Sequence, residues 1–198
     1  MADYLTVKTP GEGLVREKMS RFISFALHAE TPEEAASLVK DYQNKYCDSR
    51  HVCWAYILGV DGNTWQANDN GEPSGTAGRP ILGQIRSKGL TNTLVVVVRY
   101  FGGIKLGTSG LIAAYKAAAC EALDNAEIVE CSEMVQLNVS FSYMEMNEVM
   151  KYVKANDLQV LDKAFDNVCN MTLSIAKDDL EKTMAELQSH TISLTPIE

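Results

Sequence analysis

The chain has 198 residues, with 18 Lys and Arg against 26 Asp and Glu, a net charge of -8 and 46% hydrophobic residues. That length allows one large domain or two small ones, and the balance of apolar and charged residues excludes a disordered or low-complexity chain. The acidic total also excludes indiscriminate coating of nucleic acid, which needs surplus cations to displace counterions from the phosphates.

Arg21 to Ala29 reads as a strand. Thr31-Pro32-Glu33-Glu34 then opens a helix running to about Tyr46: Thr31 caps it, Pro32 suits the first turn and Glu34 completes a capping box. Cys53 to Leu58 and Thr64 to Ala67 flank Asp61-Gly62-Asn63, the pattern of a hairpin. Asn68 to Gly78 is too rich in Gly, Asn and Pro to be regular. Arg79 to Lys88 follows as a helix stopped by Gly89. Thr93 to Tyr100 is a β-branched run without alternation, as in a central strand buried on both faces. Gly102 to Gly110 is a second glycine-rich loop, and Leu111 to Asn125 a helix of strong formers. From about Ser132 the pattern restarts: strand Met134 to Ser142, helix Met144 to Asn156, strands Leu158 to Lys163 and Asn167 to Ile175, helix Asp178 to Ser189, strand Thr191 to Pro196. This βαββαβ order is that of the ferredoxin-like split unit. The expected class is α+β, in two domains, 1–130 and 131–198, with net charges of -2 and -6.

Charge is unevenly spread within the first domain. Pro73 to Cys120 contains no Asp or Glu, while Arg79, Arg86, Lys88, Arg99, Lys105 and Lys116 give it +6, leaving -14 on the rest of the chain. Such a run is either a solvated face around a buried strand or a ligand site.

The second glycine-rich loop lies within this segment and the first runs into it from Asn68, each leading into a helix. A helix N-terminus carries partial positive charge and free N–H donors, and glycines let a phosphate approach the backbone. Gly102, Gly103, Gly107 and Gly110, with Arg99 before them and Lys105 among them, form a candidate anion cradle, to which Arg21, Arg50 and Arg79 add charge. The same glycines equally make tight turns. Gly102 to Gly107 has P-loop spacing, but Thr108 stands where the phosphate-binding Lys belongs, so that motif fails. The first loop holds Asp69 and Glu72, with His51 on the adjacent strand. Carboxylates beside a His perform acid–base chemistry or hold Mg²⁺, whereas Asp69-Asn70-Gly71 also suits a turn whose Asp bonds its own backbone. Trp54 and Tyr56, near Arg50, fit base stacking or a sheet core. No Ser-His-Asp or Cys-His arrangement can be assembled from spacing, and an enzyme is not demanded.

Met1 to Pro10 has neither the basic start nor the apolar run of a secretory signal. The longest aliphatic run, Leu94 to Val98, falls far short of the roughly 20 residues of a membrane helix. Five cysteines, without a CxxC pair, favour reduced thiols. Cys47, His51 and Cys53 lack the second ligand pair of a structural zinc site. A cytoplasmic protein without membrane contact, metal or cofactor is expected.

The strings Asp69-Asn70-Gly71-Glu72-Pro73-Ser74-Gly75-Thr76-Ala77-Gly78-Arg79-Pro80 and Val97-Val98-Arg99-Tyr100-Phe101-Gly102-Gly103-Ile104-Lys105-Leu106-Gly107 resemble the signature of the YigZ/Impact family. Met19-Ser20-Arg21-Phe22 and Arg50-His51-Val52-Cys53 match its flanking blocks. Met19 replaces a common Lys, and Thr108-Ser109 a usual Thr-Gly. The resemblance implies an N-terminal two-layer domain similar to a small-subunit ribosomal protein, an elongation factor G domain and the GHMP kinases, and a C-terminal domain similar to the last, ferredoxin-like domain of elongation factor G. Eukaryotic relatives regulate translation by competing for the activator of a stress kinase. The resemblance thus implies RNA or a ribosome-associated protein as partner. A phosphate- or nucleotide-binding enzyme using the same loops, and a protein-docking module using the acidic second domain, stand beside it.

Overall fold

The computed structural model describes residues 4–197. The chain divides into two compact units that meet in sequence between Cys131 and Ser132.

The first unit runs β1 (Tyr4–Thr9), β2 (Gly11–Glu17), β3 (Ser20–His28), α1 (Pro32–Lys45), β4 (His51–Leu58), β5 (Thr64–Asn68), α2 (Gly78–Ser87), β6 (Thr93–Tyr100), α3 (Gly107–Asp124) and β7 (Glu127–Cys131). Five strands form an antiparallel sheet in the order β2-β3-β6-β4-β5, while β1 and β7 pair as a separate ribbon. Strand β6 lies in the middle, and Leu94 to Val98 are wholly buried. Its side chains alternate: Val95 and Val97 join Ile81, Ile85 and Ala118 of α2 and α3, and Leu94, Val96 and Val98 join Ala35 and Val39 of α1. Helices therefore cover both faces, and the expected two-layer domain is corrected to three layers. The reason is local: α1 and its C-cap residue Tyr46 present Ala35, Leu38, Val39, Tyr42 and Tyr46 at helical spacing, an apolar stripe that needs a sheet to cover it. Each large aliphatic side chain so buried stabilises the fold by about 1.5–3 kcal/mol.

Helix α1 starts where its cap residues place it. Thr31 Oγ1 accepts the Glu34 N–H at 3.1 Å, but Glu34 reaches one residue beyond the expected capping box, accepting the Glu30 N–H at 2.8 Å. Helix α3 begins a turn earlier than its run of strong formers predicts, at Gly107.

The second unit runs β8 (Met134–Phe141), α4 (Met146–Ala155), β9 (Gln159–Phe165), β10 (Cys169–Ala176), α5 (Leu180–Leu187) and β11 (Ser193–Ile197), with antiparallel strand order β11-β8-β10-β9. Single 3₁₀ turns precede α4 and flank α5, so both helices are shorter than expected. Leu137, Val139, Phe141, Met171, Leu173 and Ile175 point to one face, where Val149, Val153 and Leu187 of the helices cover them. Among the described residues no helix is long and apolar enough to cross a membrane.

Candidate functional site

The antiparallel register places Phe22 of β3 and His51 of β4 on either side of Arg99 of β6. Period-two alternation aims Arg99 to the same face as Val95 and Val97, the side of α2 and α3. There it meets the first glycine-rich loop. Arg99 Nη1 donates to Glu72 Oε1 at 2.6 Å, in an ion pair whose side chains are only 7% and 3% exposed. The Tyr115 hydroxyl, from α3, donates to the same oxygen at 2.8 Å. The Cys53 thiol donates to the Asp69 carbonyl at 2.9 Å and lies 3.3 Å from Tyr115 Oη. Burial lifts the Cys53 thiol to about 12. Burial, with Cys53 and Glu72 adjacent, also raises the Tyr115 hydroxyl. Both stay protonated at neutral pH, and neither is a nucleophile. Arg99 is thus not the free phosphate ligand expected. A cation this far from water needs a counter-ion, and Glu72 supplies it. Glu72 in turn is a structural anion rather than an available acid or base. Among the described residues Arg99 Nε is left buried without a hydrogen-bond partner.

Asp69 is also committed. Its Oδ2 accepts the Gly75 N–H at 2.8 Å, and its Oδ1 accepts those of Ala77 and Gly78 at 3.0 and 2.8 Å. Burial alone would raise its pKa, but the three backbone donors and nearby Arg79 outweigh it and hold the carboxyl below its usual range. Asp69 is the anion at the N-terminus of α2, the turn-forming alternative open in the sequence.

The second glycine-rich loop differs. No side chain caps α3, and Gly107, at φ 72°, turns the chain into the helix through a conformation costly for any residue with a Cβ. Beside it opens a cleft of about 450 Å³, lined by Arg50, His51, Pro73, Phe101, Lys105 and Thr108 above the Glu72–Arg99 pair. Arg50 and Lys105 are exposed. His51 Nδ1 is 2.8 Å from the Asn70 carbonyl, so Nδ1 carries a proton and donates to it. Among the described residues the cleft offers two cations without an ion pair, Arg50 and Lys105, with an uncapped helix N-terminus and a hydroxyl, which is a set for binding anions.

Of the sequence candidates, Arg50, His51, Glu72, Arg99, Lys105 and Gly107 line this cleft. Arg21 does not: its guanidinium lies over the Tyr100 ring at 4.9 Å. Arg79 and Asp69 line a different depression, beside Trp65. Gly102 ties its loop to the start of β3 by donating to Ser20 Oγ at 3.2 Å, Gly103 is exposed, and Gly110 lies inside α3. Trp54 and Tyr56 stack on each other at 5.7 Å in the α1 face of the core, away from the cleft. Sequence reasoning missed Phe101, Thr108 and Tyr115. Tyr115 carried a signal, as the single aromatic in the Ala-rich helix. A larger groove of about 630 Å³ in the second unit, bordered by Met184, Ile192 and Leu194, includes no cation in its lining. Among the described residues no three His, Cys, Asp or Glu converge as a metal site.

Residues 18–123, which contain the whole cleft, match the Impact N-terminal domain. The Bacillus subtilis (strain 168) IMPACT family member YvyE is 38% identical over 146 residues, covering 74% of this chain and 67% of its own. An IMPACT family member of Haemophilus influenzae is 32% identical over 189 residues, 94% of this chain and 92% of its own. The crystal structure of an hypothetical protein, 28% identical, covers 100% of this chain and 98% of its own with a TM-score of 0.76. The match to the N-terminal domain spans more than half the chain and these relatives extend it, so the chain belongs to the Impact family.

Proposed function

We propose that this protein acts in translation, in the cytoplasm, and that the cleft of its first unit holds RNA through phosphate contacts. The observation that carries this reading is the convergence of Arg50 and Lys105 with the uncapped N-terminus of α3, at a cleft whose carboxylate, Glu72, is already neutralised by Arg99. Added phosphate charge therefore meets a local excess of two cations inside a chain of net charge -8, which favours a local site over broad coating. The translational setting rests on the family resemblance and on reading the second unit as the ferredoxin-like domain found last in elongation factor G. Phosphate binding by few cations predicts a measurable salt slope. Fluorescence polarisation of labelled single-stranded, duplex and structured RNA at two salt concentrations tests it. Micromolar binding that weakens with salt is expected, and absence of binding to all three at low salt overturns the reading.

The concavity of the cleft favours a second reading, a phosphorylated small molecule, with His51 Nε2 rather than Asp69 as proton acceptor. A thermal-shift screen of nucleotides and phosphometabolites with Mg²⁺ separates the two, since a small-molecule site responds without any polymer.

A further inference from the structure

We infer that the cleft recognises a phosphate monoester at the end of an RNA strand, rather than the phosphodiesters along it. This inference rests on the RNA-binding reading above and specifies which part of the polymer enters.

Three observations converge on the monoester. The first is size. At about 450 Å³ the cleft is at the small end of ligand pockets, room for one nucleotide and not for a strand segment. The second is charge. Arg50 and Lys105 give +2 beyond the closed Glu72–Arg99 pair, and the α3 N-terminus adds its partial charge. A phosphodiester carries one negative charge, while a monoester carries about -1.5 to -2 near neutral pH and three terminal oxygens. The third is hydrogen bonding. Arg99, 93% buried on the cleft floor, keeps an unpartnered Nε, a donor without an acceptor. His51, with Nδ1 held 2.8 Å from the Asn70 carbonyl, lines the same cleft. A monoester brings three terminal oxygens to such donors, whereas a diester within a strand has one fewer to offer. Phe101, 45% exposed at the rim with the Arg99 guanidinium 5.6 Å from its ring centre, is placed to flank the terminal base.

The test compares one RNA sequence bearing a 5′-phosphate, a 3′-phosphate or hydroxyls at both ends, by fluorescence polarisation with an internal label, on the full chain. A preference of about tenfold or more for a phosphorylated end is expected, the size of one added charge-assisted contact. Lys105→Gln should remove most of that preference. Lys116→Gln, on α3 outside the cleft, should keep it. Equal affinity for all three strands overturns the terminal reading and leaves RNA binding standing, while no binding by any strand overturns both. Unlabelled nucleoside monophosphate serves as competitor. If it displaces the RNA at the concentration at which the phosphorylated strand itself binds, the ligand is a free nucleotide and the strand-end inference fails. Weaker competition supports the strand end.

Discussion

The two glycine-rich loops share composition, a cationic setting and a helix at their ends, yet they do different work. In the first, Asp69 folds back and takes three N–H groups at the start of α2, so the loop brings its own anion. In the second, no side chain caps α3, and Lys105, Gly107 and Thr108 face a cleft. A helix N-terminus is available to a ligand only where the sequence does not already fill it. The loops are not independent, because Glu72 of the first pairs with Arg99 beneath the second, and Cys53 and Tyr115 complete the link from Asp69. The closed loop builds the floor of the open one.

That dependence can be broken at the ion pair, with the largest expected effect. Arg99→Met leaves the Glu72 carboxylate buried with Tyr115 as its remaining donor. Removing one partner of a buried pair costs about 3–5 kcal/mol. The urea midpoint of the variant should fall accordingly, and the cleft should lose its floor and its RNA affinity together. An unchanged midpoint would show that the pair does not form. Replacing both partners, Glu72→Gln with Arg99→Met, should recover part of the loss, since no uncompensated charge is left.

The closed loop can be opened more gently. In Asp69→Asn one carboxylate oxygen becomes an NH₂ facing backbone N–H donors, with an expected cost of about 1–2 kcal/mol, that of a lost N-terminal cap. The effect has a pH signature. The folded pKa of Asp69 lies below its unfolded value of about 3.9. Its contribution is therefore complete above that value and is lost as pH falls through the folded one. Wild-type and variant stabilities should differ most at neutral pH and converge in acid. Parallel curves down to the lowest folded pH would mean that the carboxylate charge contributes nothing.

Much of the fold was legible. The β-branched run in β6, the Thr31 cap and the alternation in β8 and β10 each match what their surroundings require. Strand β2 was not, because Gly11 and Gly13 leave it without side chains to carry a strand pattern. Their reason is tertiary: a Cβ on Gly11 would sit 2.1 Å from the Ala122 carbonyl oxygen, so α3 can lie against the strand only where side chains are missing. Ribbon β1–β7 joins segments more than 100 residues apart, with no turn chemistry between them to announce the pairing. At the site, residue types and the two loops could be read, but pairing could not. Arg99 and Glu72 are 27 residues apart, and nothing in spacing says that one neutralises the other. The distinction between Arg99, Arg79 and Arg21, alike in sequence, depends on which sheet face and which depression each enters.

That distinction gives the smallest and sharpest comparison, between one cation from each loop. Lys105 is exposed at the cleft, and Arg79 is exposed beside Asp69 at the closed loop. Neither side chain belongs to a core, so either substitution by Gln should change stability by no more than about 0.5 kcal/mol. Both remove one positive charge, so long-range attraction falls equally, and that shared part is screened beyond a Debye length of about 8 Å at physiological salt. What differs is the contact. Lys105→Gln should lower the magnitude of the slope of log affinity against log salt by about one, the loss of one phosphate contact, while Arg79→Gln should leave that slope unchanged and affinity within about twofold. If the two variants weaken RNA binding alike, the cationic segment acts as a diffuse field and the open loop has no privileged contact. If Arg79→Gln is the more damaging, the ligand sits at the closed loop, against the Asp69 carboxylate that already occupies it.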